Sequence, residues 1–450
     1  MNAPTQIAQR QHVLGRLAYS PSKAVRLWRR VVGVLAIAFG LVQLAAASRS
    51  LLPQHVYGKD FLQGYAMARA ILHRVDPYLP TDVLAERFWG QVPFAAWPHP
   101  TPQPPTLGTL LVPLALLDYP TAATVWFGLE MVCLVASVYL LGRALGARLS
   151  IWTTLGVATA LLIWYPVQVE MFMGQLQLLV LALLAGAWVA LRSGRPALGG
   201  ALLGLAILVK PIPLPLLLLL VVRKDWRALT GAVPVILGGY LVAGCVVGFE
   251  TLVTYLTKVL PLVQGIYRAA LGNMSLWSVG WRIFDGTRSQ LSSGIVAPPL
   301  VRSPVAAQVV SIALSSLLLL VAALAVRKQR SPDVSLGVMI CVSILISPLS
   351  WPHYLVLAII PAAHVVRWLL WHRLPSRETN LALLVAVLLA AHWLGLASLV
   401  IRAAGSYGGV AVVFAVAQLP LMPAVAVGAL GWLVLWLAPL GNSTSATMQS

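Results

Sequence analysis

Charged residues, and acidic ones above all, are scarce in this chain of 450 residues. Asp and Glu together number 12, and charged residues make up 10% of the chain against 59% hydrophobic residues. An ordinary soluble domain has about a quarter charged residues, so the composition excludes a soluble globular protein and indicates a polytopic membrane protein. The 3 cysteines lie in separate apolar stretches and lack the spacing of a metal site.

The net charge of +19 comes from short basic clusters between apolar stretches. This distribution follows the rule that basic loops stay on the cytoplasmic side of a membrane, and it argues against a nucleic-acid partner. We therefore expect a plasma-membrane protein with a cytoplasmic N-terminus. The loops predicted to be cytoplasmic are Arg143–Arg148, Arg192–Arg195, Arg223–Arg227, Arg327–Arg330 and Arg367–Arg377.

The apolar stretches predict an all-α fold with about eleven membrane helices, some broken or re-entrant, since a span takes about 20 residues. We divide the chain into a basic tail (1–30), one transmembrane domain (31–440) and a disordered tail (441–450). Only enough residues for one span separate Arg195 from Arg223, although both are predicted to be cytoplasmic. A re-entrant pair broken at the prolines of Lys210–Pro215 resolves this. The alternative is that one basic loop violates the rule.

The remaining polar residues gather in segments assigned to the extracytoplasmic face: 48–105, 165–174, 250–304 and 347–353. These segments contain most of the acidic residues and four of the histidines, and we expect short interfacial helices in them. We therefore expect any chemistry on this face.

Asp60, which follows the first apolar span, is the leading candidate for a catalytic residue. It could instead cap a short helix lying on the membrane surface, since Asp is a favoured capping residue. His353 occupies a tight turn predicted on the same face, and we assign it as the second catalytic candidate. Lys210 lies in an apolar span, where a cation is costly and therefore indicates function. A phosphate would be a suitable partner for it.

Other polar side chains are candidates for binding substrate, although each also has a structural interpretation as an anchor, connector or cap. Gln175 and Gln177 are two residues apart, so at most one of them is expected to face a site. No metalloprotease, nucleophile-elbow or P-loop motif is present, and we predict neither a metal site nor a cofactor. The substrate-binding candidates are Lys59, Tyr65, His99, Gln175, Lys210, Arg268, Asn273, Ser275 and Arg282.

A series of blocks between residues 57 and 357 resembles glycosyltransferase family 87, the polyprenol-phosphate-mannose-dependent mannosyltransferases of the GT-C membrane superfamily. No block is specific alone, but their order and spacing together are. The blocks are KDF with GYAMARAIL and DPY, PPTLGTLLVPLALL, GQLQLLVLALL, LGGALLGLAILVKPIPLPLLLLL with RKDWRAL, GNMSLWSVGWR, and SPLSWPHYLVL.

The resemblance implies a GT-C-type fold and an acidic catalytic residue in the first extracytoplasmic loop, the position of Asp60. Lys210 followed by Pro211 matches the family's lysine-proline element. The family often has paired histidines where this chain has His353 and Tyr354, so a role that needs the second histidine is in doubt.

The resemblance also implies substrates. The donor would be a polyprenyl-phosphate sugar, and the acceptor a glycolipid such as a phosphatidylinositol mannoside or lipomannan of an actinobacterial envelope. We expect mannose transfer by an inverting single displacement, with Asp60 as base and Lys210, Arg268 or Arg282 near the phosphate. The alternatives are transfer of arabinose or glucose, or a transporter or flippase of lipid-linked sugars. A transporter would place its polar residues near the bilayer midplane.

Overall fold

The computed structural model describes residues 23–90, 97–287, 297–371, 376–404 and 415–446. Within these ranges the chain is helical and contains no β-strand, which confirms the predicted all-α class. Most of the predicted basic tail, and the basic cluster at Arg373, lie outside the described residues.

Several helices are long and apolar enough to cross a membrane, which confirms a polytopic architecture. The six long ones lie within Val31–Leu51, Tyr119–Ala144, Trp226–Val247, Pro304–Lys328, Pro352–Leu369 and Ala415–Leu437. A bent pair, Ile151–Leu161 and Tyr165–Met173, forms a possible seventh span with an angle of 86°. Shorter apolar helices are Gln177–Arg192, Pro196–Val209 and Pro332–Ile346. The total of about eleven membrane helices stays a prediction.

The first helix begins at Lys23, before the predicted start of the span, and the last one, Met422–Ala446, continues past residue 440. The proposed disordered tail is therefore helical up to Ala446, and 447–450 lie outside the described residues. The remaining α-helices are Phe61–Leu72, Thr81–Trp89, Pro105–Leu111, Pro215–Val222, Phe249–Thr254, Leu260–Tyr267, Leu276–Phe284, Ile359–Trp371, Ser376–Ala390 and Trp393–Ala404.

Helix Pro332–Ile346 lies at the centre of the bundle. All of its residues from Val334 to Leu345 are buried, and a helix that is apolar on all sides is stable only when it is surrounded. It packs on Pro304–Lys328, Ile359–Trp371 and Met422–Ala446. His353 lies in the first turn of the 3-10 helix Pro352–Ala358, where the sequence predicted a tight turn, and we call this first turn the His353 turn. It follows the buried helix closely in the chain, so its starting point is held by the core.

The predicted break at Lys210–Pro215 is present and re-entrant. Helix Pro196–Val209, which we call the first limb, ends before Lys210, whose backbone is extended (φ −154°, ψ 126°). Helix Pro215–Val222, the second limb, then carries the chain back toward the start of the first limb. Helix Trp226–Val247 then runs parallel to the first limb, because Ala197 lies against Gly231 and Leu208 against Gly239.

Both ends of this re-entrant pair lie at one end of the bundle. Arg192 and Pro196, beside the first limb, line the same cavity as Arg223 and Arg227, beside the second. Arg223 also donates to the carbonyl of Gln329 at 3.0 Å. The prediction that two basic loops flank a re-entrant element is confirmed, and we call this end of the bundle the basic end.

Helix Phe61–Leu72 forms where a short interfacial helix was expected, but protein surrounds it. Most of its residues, from Phe61 to Ala70, are buried. It packs on Pro105–Leu111, where a Cβ on Gly108 would lie 2.8 Å from the Ile71 side chain. The helix is part of the core and fixes the direction of Asp60, the residue before it.

Candidate active site

Asp60 is the N-cap residue of helix Phe61–Leu72, but its side chain makes no capping hydrogen bond. Its carboxylate instead accepts from Gln175 Nε2 at 2.5 Å and from Gln63 Nε2 at 3.4 Å. The capping interpretation therefore fails, since a cap bonds the amides of its own helix. Asp60 keeps part of its surface accessible, so it can meet a substrate.

Gln175 joins Asp60 to Lys210. While its Nε2 donates to Asp60, its Oε1 accepts from Lys210 Nζ at 3.1 Å. Gly174 makes this approach possible: its φ is +64°, and a Cβ there would lie 2.9 Å from Phe61 Cβ. A side chain at residue 174 would thus be strained and would also collide with the helix that follows Asp60.

Gln177 does not share this role, as its spacing predicted. It is fully buried, and its Oε1 accepts from the amide of Leu176 at 3.1 Å. The neighbouring Glu170 is equally buried and accepts from the amide of Leu178 at 3.0 Å. Both side chains fix the chain around the start of helix Gln177–Arg192.

The tip of the re-entrant pair brings Lys210 next to the His353 turn. Lys210 Nζ lies 4.5 Å from the ring centroid of Tyr354, within the range of a cation–π contact. The ring of His353 is 4.9 Å from that of Tyr354. His353 is buried, and its Nε2 has no hydrogen-bond partner among the described residues. The two catalytic candidates thus belong to one contiguous cluster.

Two further aromatic residues flank this cluster. Tyr267 donates to His99 Nε2, and its ring centroid is 5.8 Å from that of Trp351. His99 Nδ1 contacts the carbonyl of Pro100 at 2.8 Å, so Nδ1 carries the proton and Nε2 is the acceptor. Burial lowers the pKa of His99, although the carbonyl of Pro100 acts in the opposite direction. His99 is therefore a neutral residue that orients Tyr267.

Burial raises the pKa of the Asp60 carboxyl above its usual value. Hydrogen bonds from Gln175 and Gln63, together with the charges of Lys210 and Lys59, oppose that rise. A carboxylate with a raised pKa is a stronger base than one in water. In the described part of the chain, no group of three or more His, Cys, Asp or Glu is placed to hold a metal ion.

Lys59 and Tyr65 were predicted to bind substrate, but their contacts are structural. Lys59 is 1% exposed, and its Nζ donates to Ser50 Oγ and to the carbonyls of Met171 and Phe172 at 2.7–3.0 Å. These three contacts use all the donors of an ammonium group. Burial lowers its pKa to about 8. Tyr65 is 1% exposed and donates to the carbonyl of Leu117 at 2.5 Å.

Asn273 and Ser275 connect two loops and do not line an open site. Asn273 Nδ2 donates to the carbonyl of Pro348 at 3.0 Å, and its Oδ1 accepts from the amide of Ser350 at 3.0 Å. Ser275 caps helix Leu276–Phe284 and donates to Pro348 at 3.3 Å. We therefore replace their predicted substrate contacts with a positioning role, because they hold the segment that leads to Trp351 and His353.

Arg282 strengthens the same connection and is closed to ligands. It is 0% exposed and donates to the carbonyls of Ala270, Leu271, Asn273 and Ala417. Burial lowers the pKa of its guanidinium to about 9. The predicted phosphate contact of Arg282 is corrected to a structural one.

Arg268 is partly exposed but already engaged. Its guanidinium lies 3.4 Å from the ring centroid of Trp281, and it pairs with Asp285 at 3.4 Å. Among the cations predicted to bind phosphate, Lys210 is therefore the one in contact with the Asp60 cluster.

Sequence reasoning missed Gln63, Trp351 and Tyr354 as members of the site. Gln63 lies three residues after Asp60, a spacing that places both on one side of a helical turn, and this signal could have identified it. Trp351 and Tyr354 flank His353 within the quoted SPLSWPHYLVL block, but no local pattern distinguishes a site aromatic from a membrane anchor.

Residues 103–348 match the model of glycosyltransferase family 87, which covers more than half of the chain. The chain belongs to glycosyltransferase family 87. It is accordingly a membrane glycosyltransferase. None of the curated proteins compared with it matches.

The family 87 match includes Gln175 and Lys210 but ends before His353 and starts after Asp60. Family membership therefore supplies the reaction class, and the geometry of this chain supplies the two candidates outside the match. The contacts run from Asp60 through Gln175 and Lys210 to Tyr354 and His353.

Proposed function

We propose that this enzyme transfers mannose from a polyprenyl-phosphate donor to a glycolipid or lipoglycan acceptor of the cell envelope. Phosphatidylinositol mannosides and lipomannan are the acceptor class we favour, and the extracytoplasmic face of the plasma membrane is the proposed location. The observation that supports it best is the Asp60–Gln175–Lys210 contact, which places a base and a cation on either side of one amide.

Asp60 serves as the general base in this proposal. The acceptor hydroxyl must lose a proton as it attacks the anomeric carbon, and a carboxylate within hydrogen-bond reach can take it. Gln63 and Gln175 fix the orientation of the carboxylate, while its accessible surface leaves room for the hydroxyl. Its raised pKa brings it closer to the strength that proton transfer at neutral pH requires.

Lys210 stabilises the departing polyprenyl phosphate. An ammonium group has three donors, and among the described residues Lys210 uses one of them, on Gln175. A charge-assisted hydrogen bond to a phosphate oxygen is stronger than one between neutral groups. It strengthens further as negative charge develops on the leaving group.

His353 and the aromatic residues bind the sugars. Trp351 is the partly exposed aromatic of this group, and the C–H face of a sugar can pack against its ring, while the buried Tyr267 and Tyr354 support it from behind. His353 Nε2 has no partner in the described chain, so it can bond a hydroxyl of the acceptor or an oxygen of the donor phosphate. With one base opposite the leaving group, a single in-line displacement inverts a β-linked donor to an α-linked product.

Transfer of radiolabelled mannose by membranes that contain the protein tests this proposal. Wild type, Asp60→Asn and Asp118→Asn are compared at equal protein level. Asp118 caps helix Tyr119–Ala144 through the amide of Thr121, and Asn retains that function. We expect Asp60→Asn to lose about 10²- to 10⁴-fold in rate, the usual contribution of a general base, and Asp118→Asn to remain active.

Parallel reactions with polyprenyl-phosphate arabinose and glucose test the donor. Transfer of one of these sugars in place of mannose would overturn the donor assignment and keep the base. Equal rates for wild type and Asp60→Asn would overturn the role of Asp60. Movement of a lipid-linked sugar across vesicles without any transfer would favour the transporter alternative.

A further inference from the structure

A cavity of about 750 Å³ opens at the basic end of the bundle, away from Asp60. It lies between helices Gln177–Arg192, Pro196–Val209 and Pro215–Val222 and the start of Pro332–Ile346. This volume is typical of sites that hold small organic ligands. Its inner wall is apolar and includes Leu184, Leu203, Leu216, Leu219, Leu220 and Leu336.

The re-entrant pair creates this space. Pro215–Val222 has 8 residues, which corresponds to about 12 Å of helix at 1.5 Å per residue. A helix this short leaves part of the space between its neighbouring helices unfilled, whereas a helix of full span length would occupy it. Because the inner wall of the cavity is apolar, the hydrocarbon chain of a lipid suits it better than water does.

The mouth of the cavity is cationic. Arg192, Arg223, Lys224 and Arg227 lie at the mouth with two carboxylates, Asp225 and Asp333. Both carboxylates already have partners. Asp333 accepts from Trp188 Nε1 at 2.7 Å and pairs with Arg192, and Asp225 accepts from the amide of Ala228 at 3.1 Å.

Two cations at the mouth remain open to a ligand. Arg223 is occupied by the carbonyls of Gln329 and Arg330 and by Ser335. Lys224 and Arg227 are exposed, and neither forms an ion pair with a described residue. A cationic mouth above an apolar chamber complements a molecule with an anionic head and a hydrocarbon tail.

We propose that this cavity binds an anionic phospholipid, with its phosphate at Lys224 and Arg227 and one acyl chain along the leucine wall. The site is separate from the active site: Leu203 and Lys210 lie seven residues apart on one limb, about 10 Å along its axis. It is also independent of which sugar the enzyme transfers. The bound lipid supports the re-entrant pair that carries Lys210 at its tip.

Native mass spectrometry of the purified full-length protein in a non-ionic detergent tests this site. Phosphatidylglycerol and phosphatidylcholine with the same acyl chains are titrated separately, and inorganic phosphate is added as a competitor. The test variant is Lys224→Asn with Arg227→Gln. Lys224 has a φ of +56°, which Asn tolerates better than most residues.

The matched control is Arg143→Gln with Arg148→Gln. Both arginines are exposed: Arg143 lies in the last turn of Tyr119–Ala144, the helix that packs beside Gln177–Arg192, and Arg148 lies four residues beyond its end. The control thus loses the same charge near the same end but outside the cavity. Each basic residue near a lipid headgroup contributes about 5-fold in affinity. We expect the test variant to lose about 25-fold for phosphatidylglycerol at low salt, and the control to bind like wild type.

Three results of the lipid titrations would overturn the proposal. The first is wild-type affinity in the test variant, the second is an equal loss in the control, and the third is binding of phosphatidylcholine to wild type as tightly as phosphatidylglycerol. Effective competition by millimolar inorganic phosphate would identify a site for a free phosphate compound, and would thereby overturn the lipid assignment. A thermal melt of each variant in detergent verifies that the fold is intact.

Discussion

Replacing Gln175 with Leu removes the amide between Asp60 and Lys210 while keeping the volume of the side chain similar. The lost hydrogen bond of 2.5 Å stabilises the charged form of Asp60 and so lowers its pKa against the effect of burial. A hydrogen bond to a charged group contributes about 1.5–3 kcal/mol, and one pKa unit corresponds to about 1.36 kcal/mol. The pKa of Asp60 should therefore rise by about 1 to 2 units.

The sign of the effect on activity follows from the proposed role of Asp60. A base must be deprotonated, so activity falls as the pH drops through its pKa, and a higher pKa moves this acid limb to higher pH. The measurement is the pH dependence of kcat/KM for sugar transfer by wild type and Gln175→Leu. We expect the acid limb to shift upward by about 1 to 2 pH units.

Gln177→Leu is the matched control, because it removes the same group two residues away without touching Asp60 or Lys210. Its acid limb should coincide with that of wild type. An unshifted limb in Gln175→Leu, or an equal shift in Gln177→Leu, would refute the idea that Gln175 sets the protonation of the base.

Two further predictions concern stability, measured by thermal unfolding in detergent. Arg282→Lys should destabilise the protein by about 1–3 kcal/mol, since the three donors of Lys leave one of the four carbonyls unpaired and a buried carbonyl without a donor costs about 1–3 kcal/mol; loss of transfer without loss of stability would instead restore a phosphate contact. Gly200→Ala should destabilise by about 1–3 kcal/mol, because its Cβ would lie 1.8 Å from the carbonyl oxygen of Ala228. Gly238→Ala, with nothing near its Cβ, should stabilise by about 0.5–1 kcal/mol, and equal effects at both glycines would contradict the packing argument.

The fold class could be predicted because the features that determine it are local properties of the sequence. Apolar stretches of span length and the prolines after Lys210 both act on the backbone where they stand. The re-entrant pair followed from two basic loops with a single span between them. The number of spans could not be predicted equally well from the sequence. Short apolar helices such as Pro332–Ile346 are buried by neighbouring helices and need not reach across a bilayer.

The roles of individual polar residues were harder to predict, because they depend on partners distant in the chain. The contact that distinguishes Asp60 from a helix cap is made by Gln175, which is 115 residues away. Lys59 stands beside Asp60 in the sequence, yet carbonyls near residue 171 use its donors. Nothing within the GKDFLQGY stretch distinguishes these two side chains.

Arg282 and Asn273 show the same limitation in the second polar segment. Both lie in a stretch rich in aromatic and amide groups, a composition that suits sugar binding and loop bracing equally. Both side chains donate to main-chain carbonyls, so their role is to hold the loops in place. Composition shows that polar groups are present, but only the packing shows whether the backbone or a ligand will use them.

The limb Pro196–Val209 fixes how far Lys210 reaches into the bundle. Each residue of an α-helix adds about 1.5 Å of rise and about 100° of rotation, and the limb is held laterally where Gly200 meets Ala228. A single residue inserted between Gly200 and Lys210 would thus swing the ammonium group away from Gln175 while leaving the composition of the enzyme almost unchanged. Surface loops of this protein can vary in length during evolution, whereas this segment can vary in side chains but not in its number of residues.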